Sequence, residues 1–192
     1  MKRDIIISGV GGQGILSISY LICNAALERG WSFKQAEVHG MAQRGGAVQS
    51  HLRLNDKVVY SDLIPLGQAD LILSVEPLEL FRYLPFLSKS GIVITATDPF
   101  INIPNYPELE SLNSLLETLP KKILVPAANI AKELGNPRIA NTVMLGAAAP
   151  TIGFEPDEFD KSLEELFGSK GEKIVNLNKE AVREGYKLGQ IN

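Results

Sequence analysis

The chain opens on Ile5-Ile6-Ile7, passes at once into Gly9-Val10-Gly11-Gly12-Gln13-Gly14, and continues as a helical apolar pattern from Ile15 to Glu28. A β-branched apolar run of this length has the composition of a strand buried on both faces. The glycine stretch then lets backbone approach backbone, or a ligand, more closely than any Cβ allows. A helix that starts there leaves its first N–H groups without intrahelical partners and adds partial positive charge from its dipole. The corner is therefore suited to a phosphate or carboxylate, and equally to a tight strand-to-helix joint. Either way the chain is committed to an α/β arrangement in which a buried strand feeds a helix that packs back on the sheet.

The rest of the sequence extends that arrangement. Ile15, Ile18, Leu21, Ile22 and Ala25 recur at spacings of three and four, a stripe for packing on a sheet, and Gly30 suits the position after the helix end. Phe33 to Val38 reads as a second strand. Ala47 to Leu54 alternates, with Val48, Ser50, Leu52 and Leu54 on one face and Gln49, His51 and Arg53 on the other. Asn55-Asp56 followed by Val58-Val59-Tyr60 predicts a hairpin return and hence mixed pairing. Ala69 to Val75, a helix from Pro77 to about Leu87, and Gly91 to Ala96 form a strand–helix–strand crossover unit.

Pro99, Pro104 and Pro107 mark an irregular excursion, followed by a short helix over Leu109 to Leu119, a last strand at Ile123 to Val125 and a helical turn over Asn129 to Leu134. Ile139 to Ala149 is small and apolar throughout, a helix that must be nearly buried. Two amphipathic helices close the chain, about Pro156 to Phe167 and Lys170 to Leu188. The expected fold is a single α/β domain over residues 1–192: a three-layer, Rossmann-like sandwich with a mostly parallel, mixed sheet and helices on both faces.

Composition narrows the function. The net charge of −3 comes without a concentrated basic patch, which argues against a nucleic-acid surface. No apolar run approaches the roughly 20 residues needed to span a bilayer. The N-terminus runs directly into the first strand, so a cytoplasmic address is expected. The one cysteine, Cys23, lies in the apolar run Tyr20-Leu21-Ile22-Cys23 and reads as a buried structural thiol. A single cysteine makes no internal disulfide and cannot supply the four thiolates of an iron–sulfur cluster. His39 and His51 are too far apart for a short-range metal motif, so no metal ligand is assigned.

Two stretches can carry chemistry. Gly9, Gly11 and Gly14 match G-x-G-x-x-G between a strand and a helix, the setting of a dinucleotide fingerprint. That fingerprint wants an acid about 20 positions on; the nearest candidate, Glu37, lies 28 residues after Gly9. A bare structural turn explains the glycines as well. The second stretch, His39-Gly40-Met41-Ala42-Gln43-Arg44-Gly45-Gly46, combines glycines with one planar guanidinium suited to a carboxylate, a phosphate or an acidic partner. A surface ion pair is its plain alternative. Glu76, at the end of a strand and the start of a helix, reads as a first-turn acid favoured by the helix dipole.

Together and in this order, Gly9 to Gly14 and Glu37 to Gly46, followed by Gln49-Ser50-His51, resemble the γ subunit or γ domain of 2-oxoacid:ferredoxin oxidoreductases. The resemblance spans roughly the whole chain and is sharpest over residues 4 to 54. The lead-in to Arg44 most resembles the β subunit of indolepyruvate oxidoreductase. What it implies is a division of labour. In that family a 2-oxoacid is oxidatively decarboxylated to an acyl-CoA on thiamine diphosphate, and electrons leave through iron–sulfur clusters to ferredoxin. This chain lacks the Gly-Asp-Gly…Asn-Asn pattern that holds Mg²⁺ and the diphosphate. Thiamine diphosphate, Mg²⁺ and 4Fe-4S clusters are therefore expected on partner chains, with CoA as co-substrate and no catalytic residue here.

By matching position, Gly9, Gly11, Gly12, Gln13, Gly14, His39, Gln43, Arg44, Gly45, Gly46 and His51 would face ligand or partner. A homodimer of the isolated chain is a further expectation. The competing readings are a stand-alone dinucleotide-binding oxidoreductase built on the first glycine turn, and a binding or scaffold module that keeps the fold without the chemistry.

Overall fold

A computed structural model of the chain describes residues 1–39, 45–101 and 103–190. Among them, β1 (Lys2–Val10), β2 (Ser32–His39), β3 (Ala47–Asn55), β4 (Ala69–Ser74), β5 (Leu87–Ala96) and β6 (Lys122–Val125) form a six-stranded sheet in the order β2-β3-β1-β4-β5-β6. β1, β4, β5 and β6 run parallel, whereas β3 is antiparallel to both β1 and β2. The helices are α1 (Ile15–Glu28), α2 (Pro77–Tyr83), α3 (Leu109–Glu117), α4 (Ala127–Glu133), α5 (Ala140–Ile152), α6 (Asp160–Phe167) and α7 (Glu172–Gly189).

The alternation along each strand sorts the core into two faces. Ile5, Ile7, Leu52, Leu71, Leu73 and Ile94 pack toward α1 and α5, with α6 and α7 contributing Leu163, Ala181 and Val182 to the same cluster. Ile6, Ile72 and Val93 face the other way, against Leu80 and Tyr83 of α2, Leu116 of α3 and Ile64 of the segment after β3. The expected stripe of α1 is buried in full, and Cys23 is buried beside it, its thiol pushed up to about 12 by desolvation.

α5 has no polar face because it needs none: every residue from Thr142 to Ala149 is buried. Its contact with α7 is backbone on backbone. A Cβ on Gly146 would stand 2.1 Å from the Val182 carbonyl oxygen, and one on Gly185 would stand 2.0 Å from that of Val143. Between the same helices the Thr142 hydroxyl donates to Asn178 Oδ1 at 2.7 Å, both groups buried. At the amino-terminal end of the sheet Trp31 tilts against Phe154, centroids 5.6 Å apart, and Phe154 meets Phe159 edge-on. Arg29 lies over both the Trp31 and Phe154 rings and pairs with Glu158.

The predicted hairpin return at Val58-Val59-Tyr60 does not form: these residues lie in an irregular segment. The sheet is mixed because β2 and β3 pair with each other instead. The segment is tied down by Arg53, which donates to the carbonyls of Ser61 and Leu63 and forks onto the buried Asp4 at 2.9 and 3.2 Å. The helix after β4 also stops earlier than expected. It tightens into a 3₁₀ turn over Leu84–Phe86, where Pro85 can donate no backbone hydrogen bond, and β5 begins at Leu87.

Candidate functional site

The parallel strands point their carboxyl ends at one edge of the molecule. From β1 the chain leaves to one side for β2 and β3, while β4, β5 and β6 lie on the other. Open α/β sheets place ligands in the crevice at such a switch point. Here the glycine turn after β1 divides that edge into two clefts. One, of about 430 Å³, is lined by Gly11, Gly14, Leu16, Ser17, Glu37 and Val48. The other, of about 540 Å³, is lined by Gln13, Val75, Asp98, Phe100, Arg138 and Asn141 among others, and Gly12 borders both.

Packing against protein accounts for two of the turn's glycines, Gly9 and Gly14. A Cβ on Gly9 would lie 2.4 Å from Val75 Cγ2. Gly14, at the N-cap of α1, has φ +81° and would strike Asn141 Nδ2 at 2.3 Å; that amide donates to the Gly14 carbonyl. Gln13 folds back so that its Oε1 accepts from the Val10 N–H at 2.7 Å, while its own N–H reaches the Val10 carbonyl. Gly12, at φ +103°, faces open space.

The two glycine stretches that stood apart in sequence are joined in space. The Gly11 N–H donates to the Gly46 carbonyl at 2.8 Å and the Gly45 N–H to the Gly11 carbonyl at 3.3 Å. These bonds carry the β1–β3 ladder past its last pair, Val10 and Ala47, so both stretches form one surface. Gln43 and Arg44 lie outside the described residues, and His39 closes β2.

His51 does not belong to this surface. Strand alternation turns it, with Arg53, to the second face of the sheet, where the segment after β3 covers it. It is 4% exposed, its Nδ1 accepts from the Ile64 N–H at 3.1 Å, and its ring meets Phe86 edge-on. Burial holds its pKa below the usual 6.5, reinforced by Arg53 and opposed by Asp62. The polar face predicted for β3 is thus an interior face with internal partners. Gln49 shares it, with Oε1 buried and unpartnered among the described residues.

Residues that sequence reasoning did not assign complete the larger cleft. Asp98 follows the carboxyl end of β5 and accepts from the Ala128 N–H at 2.8 Å, so the start of α4 already has its anion. Its place just past a strand end was the available signal. Asn141 comes from the start of α5 and Arg138 from the 3₁₀ turn Pro137–Ile139 just before it, both more than 120 residues from the glycine turn, and nothing local announces them. Glu76 does cap α2, accepting from the Glu79 N–H at 2.8 Å, as its position suggested. Its other oxygen is also used, by Phe100 and Tyr106.

Chemically the edge offers an apolar, glycine-lined surface with few charges, and no group of three or more metal-ligating side chains among the described residues. No described helix is long and apolar enough to cross a membrane. The Val10, Gly11 and Gln13 N–H groups of the turn are spent on protein acceptors, and antiparallel β3 occupies the place beside β1 where a dinucleotide fold puts its second parallel strand. Glu37, on β2, stands two strands from β1, roughly 10 Å across the sheet.

Comparison with known proteins places these features in a family. Residues 4–188 match the model of the pyruvate ferredoxin/flavodoxin oxidoreductase family. The chain is 38% identical over 195 residues to indolepyruvate oxidoreductase subunit IorB of Archaeoglobus fulgidus, covering 97% of this chain and 94% of that one. It is 30% identical to the pyruvate/ketoisovalerate oxidoreductases common subunit gamma of Pyrococcus abyssi, covering 98% and 97%. Among solved structures it resembles the keto/oxoacid ferredoxin oxidoreductase gamma subunit of Geobacter sulfurreducens, with TM-score 0.69, 24% identity and coverage of 97% and 98%. It also overlays 31% of a longer chain, the 2-oxoglutarate:ferredoxin oxidoreductase of Magnetococcus marinus, with TM-score 0.78 and 20% identity. At these identities the two structures speak for the fold alone, which they share over nearly all of this chain. The chain belongs to the pyruvate ferredoxin/flavodoxin oxidoreductase family.

Proposed function

We propose that this chain, as one γ-type domain over residues 1–192, is the thiamine-free subunit of a cytoplasmic 2-oxoacid:ferredoxin oxidoreductase of the indolepyruvate class. Its carboxyl edge, from the Gly9–Gly14 turn to Gly45-Gly46 with Gln43 and Arg44, docks on the thiamine-bearing chain and helps shape the approach of CoA and the 2-oxoacid. The observation that carries this reading is the hydrogen-bonded union of the two glycine stretches through Gly11, Gly45 and Gly46, which makes one continuous surface of them. Exposed Leu16 and Phe100 rim the two clefts and give the edge apolar surface to bury. The identity to IorB subunits over nearly their whole length supports the indolepyruvate class.

Thiamine diphosphate, Mg²⁺ and the 4Fe-4S clusters then belong to the partner, since the lone thiol here, Cys23, is sealed in the core. The partner supplies the decarboxylation and the electron path to ferredoxin. This chain supplies surface, orientation and exclusion of water. Reconstitution tests the assignment: indolepyruvate- and CoA-dependent reduction of ferredoxin or a viologen should appear only when this chain meets the thiamine-bearing chain. Full activity of the partner alone would refute it. One observation favours a nucleotide instead, the presence of Glu37 on the same cleft as the glycine turn. Micromolar binding of NAD(H), NADP(H) or FAD to the isolated chain would establish that reading.

A further inference from the structure

Glu76 is 1% exposed, and both of its oxygens are engaged. Oε2 accepts from the Glu79 N–H at 2.8 Å, and Oε1 accepts from the Tyr106 hydroxyl at 2.6 Å and the Phe100 N–H at 3.3 Å. Capping α2 needs only the first of these. The other two reach across to the proline-rich excursion after β5, at points on either side of Pro104. A buried carboxylate is costly unless hydrogen bonds compensate its desolvation, so a group that could have been Ser, Thr or Asp as a plain cap is unusual here.

What these bonds hold in place is the wall of the larger cleft. Pro99 and Phe100 line it opposite Asn141 and Met144, and Asp98 fixes the same stretch from the other end through Ala128. Phe100 is 45% exposed, with little packing of its own to set its position. Its placement therefore comes from the bond to its backbone N–H and from Tyr106. Burial, followed by the bond to Glu76, raises the Tyr106 phenol above its ordinary range, so at neutral pH it is a donor to the carboxylate.

We infer that Glu76 is a positioning residue: through the Phe100 amide and the Tyr106 hydroxyl it sets the Pro99–Phe100 wall of the cleft that bounds the approach of the acyl-accepting thiol, CoA. This rests on the function proposed above, which brings CoA to this edge. It assigns the specificity for that co-substrate, rather than the chemistry, to a carboxylate that never touches it.

The test uses the complex reassembled from this chain and its thiamine-bearing partner. Tyr106→Phe removes the donating hydroxyl and leaves the ring, and Glu76→Gln keeps the size but replaces one acceptor with a donor. Each should raise KM for CoA roughly threefold to tenfold, the weight of one hydrogen bond. Phe100→Ala should shift the same constant in the same direction. KM for the 2-oxoacid and kcat should stay within about twofold, since the Pro99–Phe100 wall is assigned to the approach of CoA alone. A purely structural role would instead lower the melting temperature and the yield of complex without separating the two Michaelis constants. Unchanged KM for CoA in Tyr106→Phe and Phe100→Ala, in a complex where the wild-type chain is required for activity, would overturn this inference alone. A wild-type chain that adds nothing to its partner would overturn the proposed function with it.

Discussion

Replacing Gly146 by Ala tests whether α5 and α7 are held by direct backbone contact. The added methyl would lie 2.1 Å from the Val182 carbonyl oxygen, which is backbone and cannot rotate aside. Ordinary carbon–oxygen contact needs about 3.3 Å, so the helices must part by roughly 1 Å along a seam that buries Val143, Ala147 and Val182. Overpacking of this kind costs about 1–3 kcal/mol. For a chain of this size that lowers the melting temperature by roughly 3–10 °C. Gly185→Ala should cost as much, since its methyl would meet the Val143 oxygen at 2.0 Å on the same seam. Once one methyl has separated the helices the second adds little, so the double variant should fall well short of additivity. Gly168→Ala, with nothing within 4 Å of the added carbon, is the matched control and should shift melting little. Thermal unfolding followed by circular dichroism reads all four. A Gly146→Ala chain that melts with the wild type would show that the helices do not approach as described.

Three further outcomes follow from buried groups. His51 has its folded pKa lowered, so its contribution to stability is complete above the unfolded value of 6.5 and is lost as pH falls from there through the folded value; denaturant titrations of wild type and His51→Gln should converge as pH drops below about 6.5. Arg53→Met leaves Asp4 with only Lys2 and releases the Ser61 and Leu63 carbonyls, a loss of about 3 kcal/mol, part of which Asp4→Asn should restore in the double variant. Cys23, buried and with its thiol pushed up to about 12, should resist alkylation in the native protein and react fully in denaturant, as mass spectrometry would show.

The sequence carried the architecture wherever local pattern and final environment agree. The Ile5–Ile7 run, the α1 stripe and the all-apolar α5 each read correctly because their burial follows from their own spacing. Val58-Val59-Tyr60 misled because β propensity was satisfied with no open strand edge nearby: β3 already had β1 and β2 on its two sides. His51 misled for a related reason. Alternation separates two faces but does not say that the second will be covered, and the cover comes from residues 61–66, tied on by Arg53. At the candidate site the pairing of the glycine stretches was legible as motif, whereas Asn141, Arg138 and Tyr106 reach it only through tertiary placement.

The lone indole of the chain sits far from all of this chemistry. Trp31 packs against the Phe154 ring with the Arg29 guanidinium over both, where the turn after α1 meets the start of the carboxyl-terminal helices. Its emission should therefore report detachment of those helices and stay constant when a companion subunit or co-substrate arrives at the opposite edge. That gives the molecule a built-in optical gauge of its own integrity, free of interference from whatever it binds.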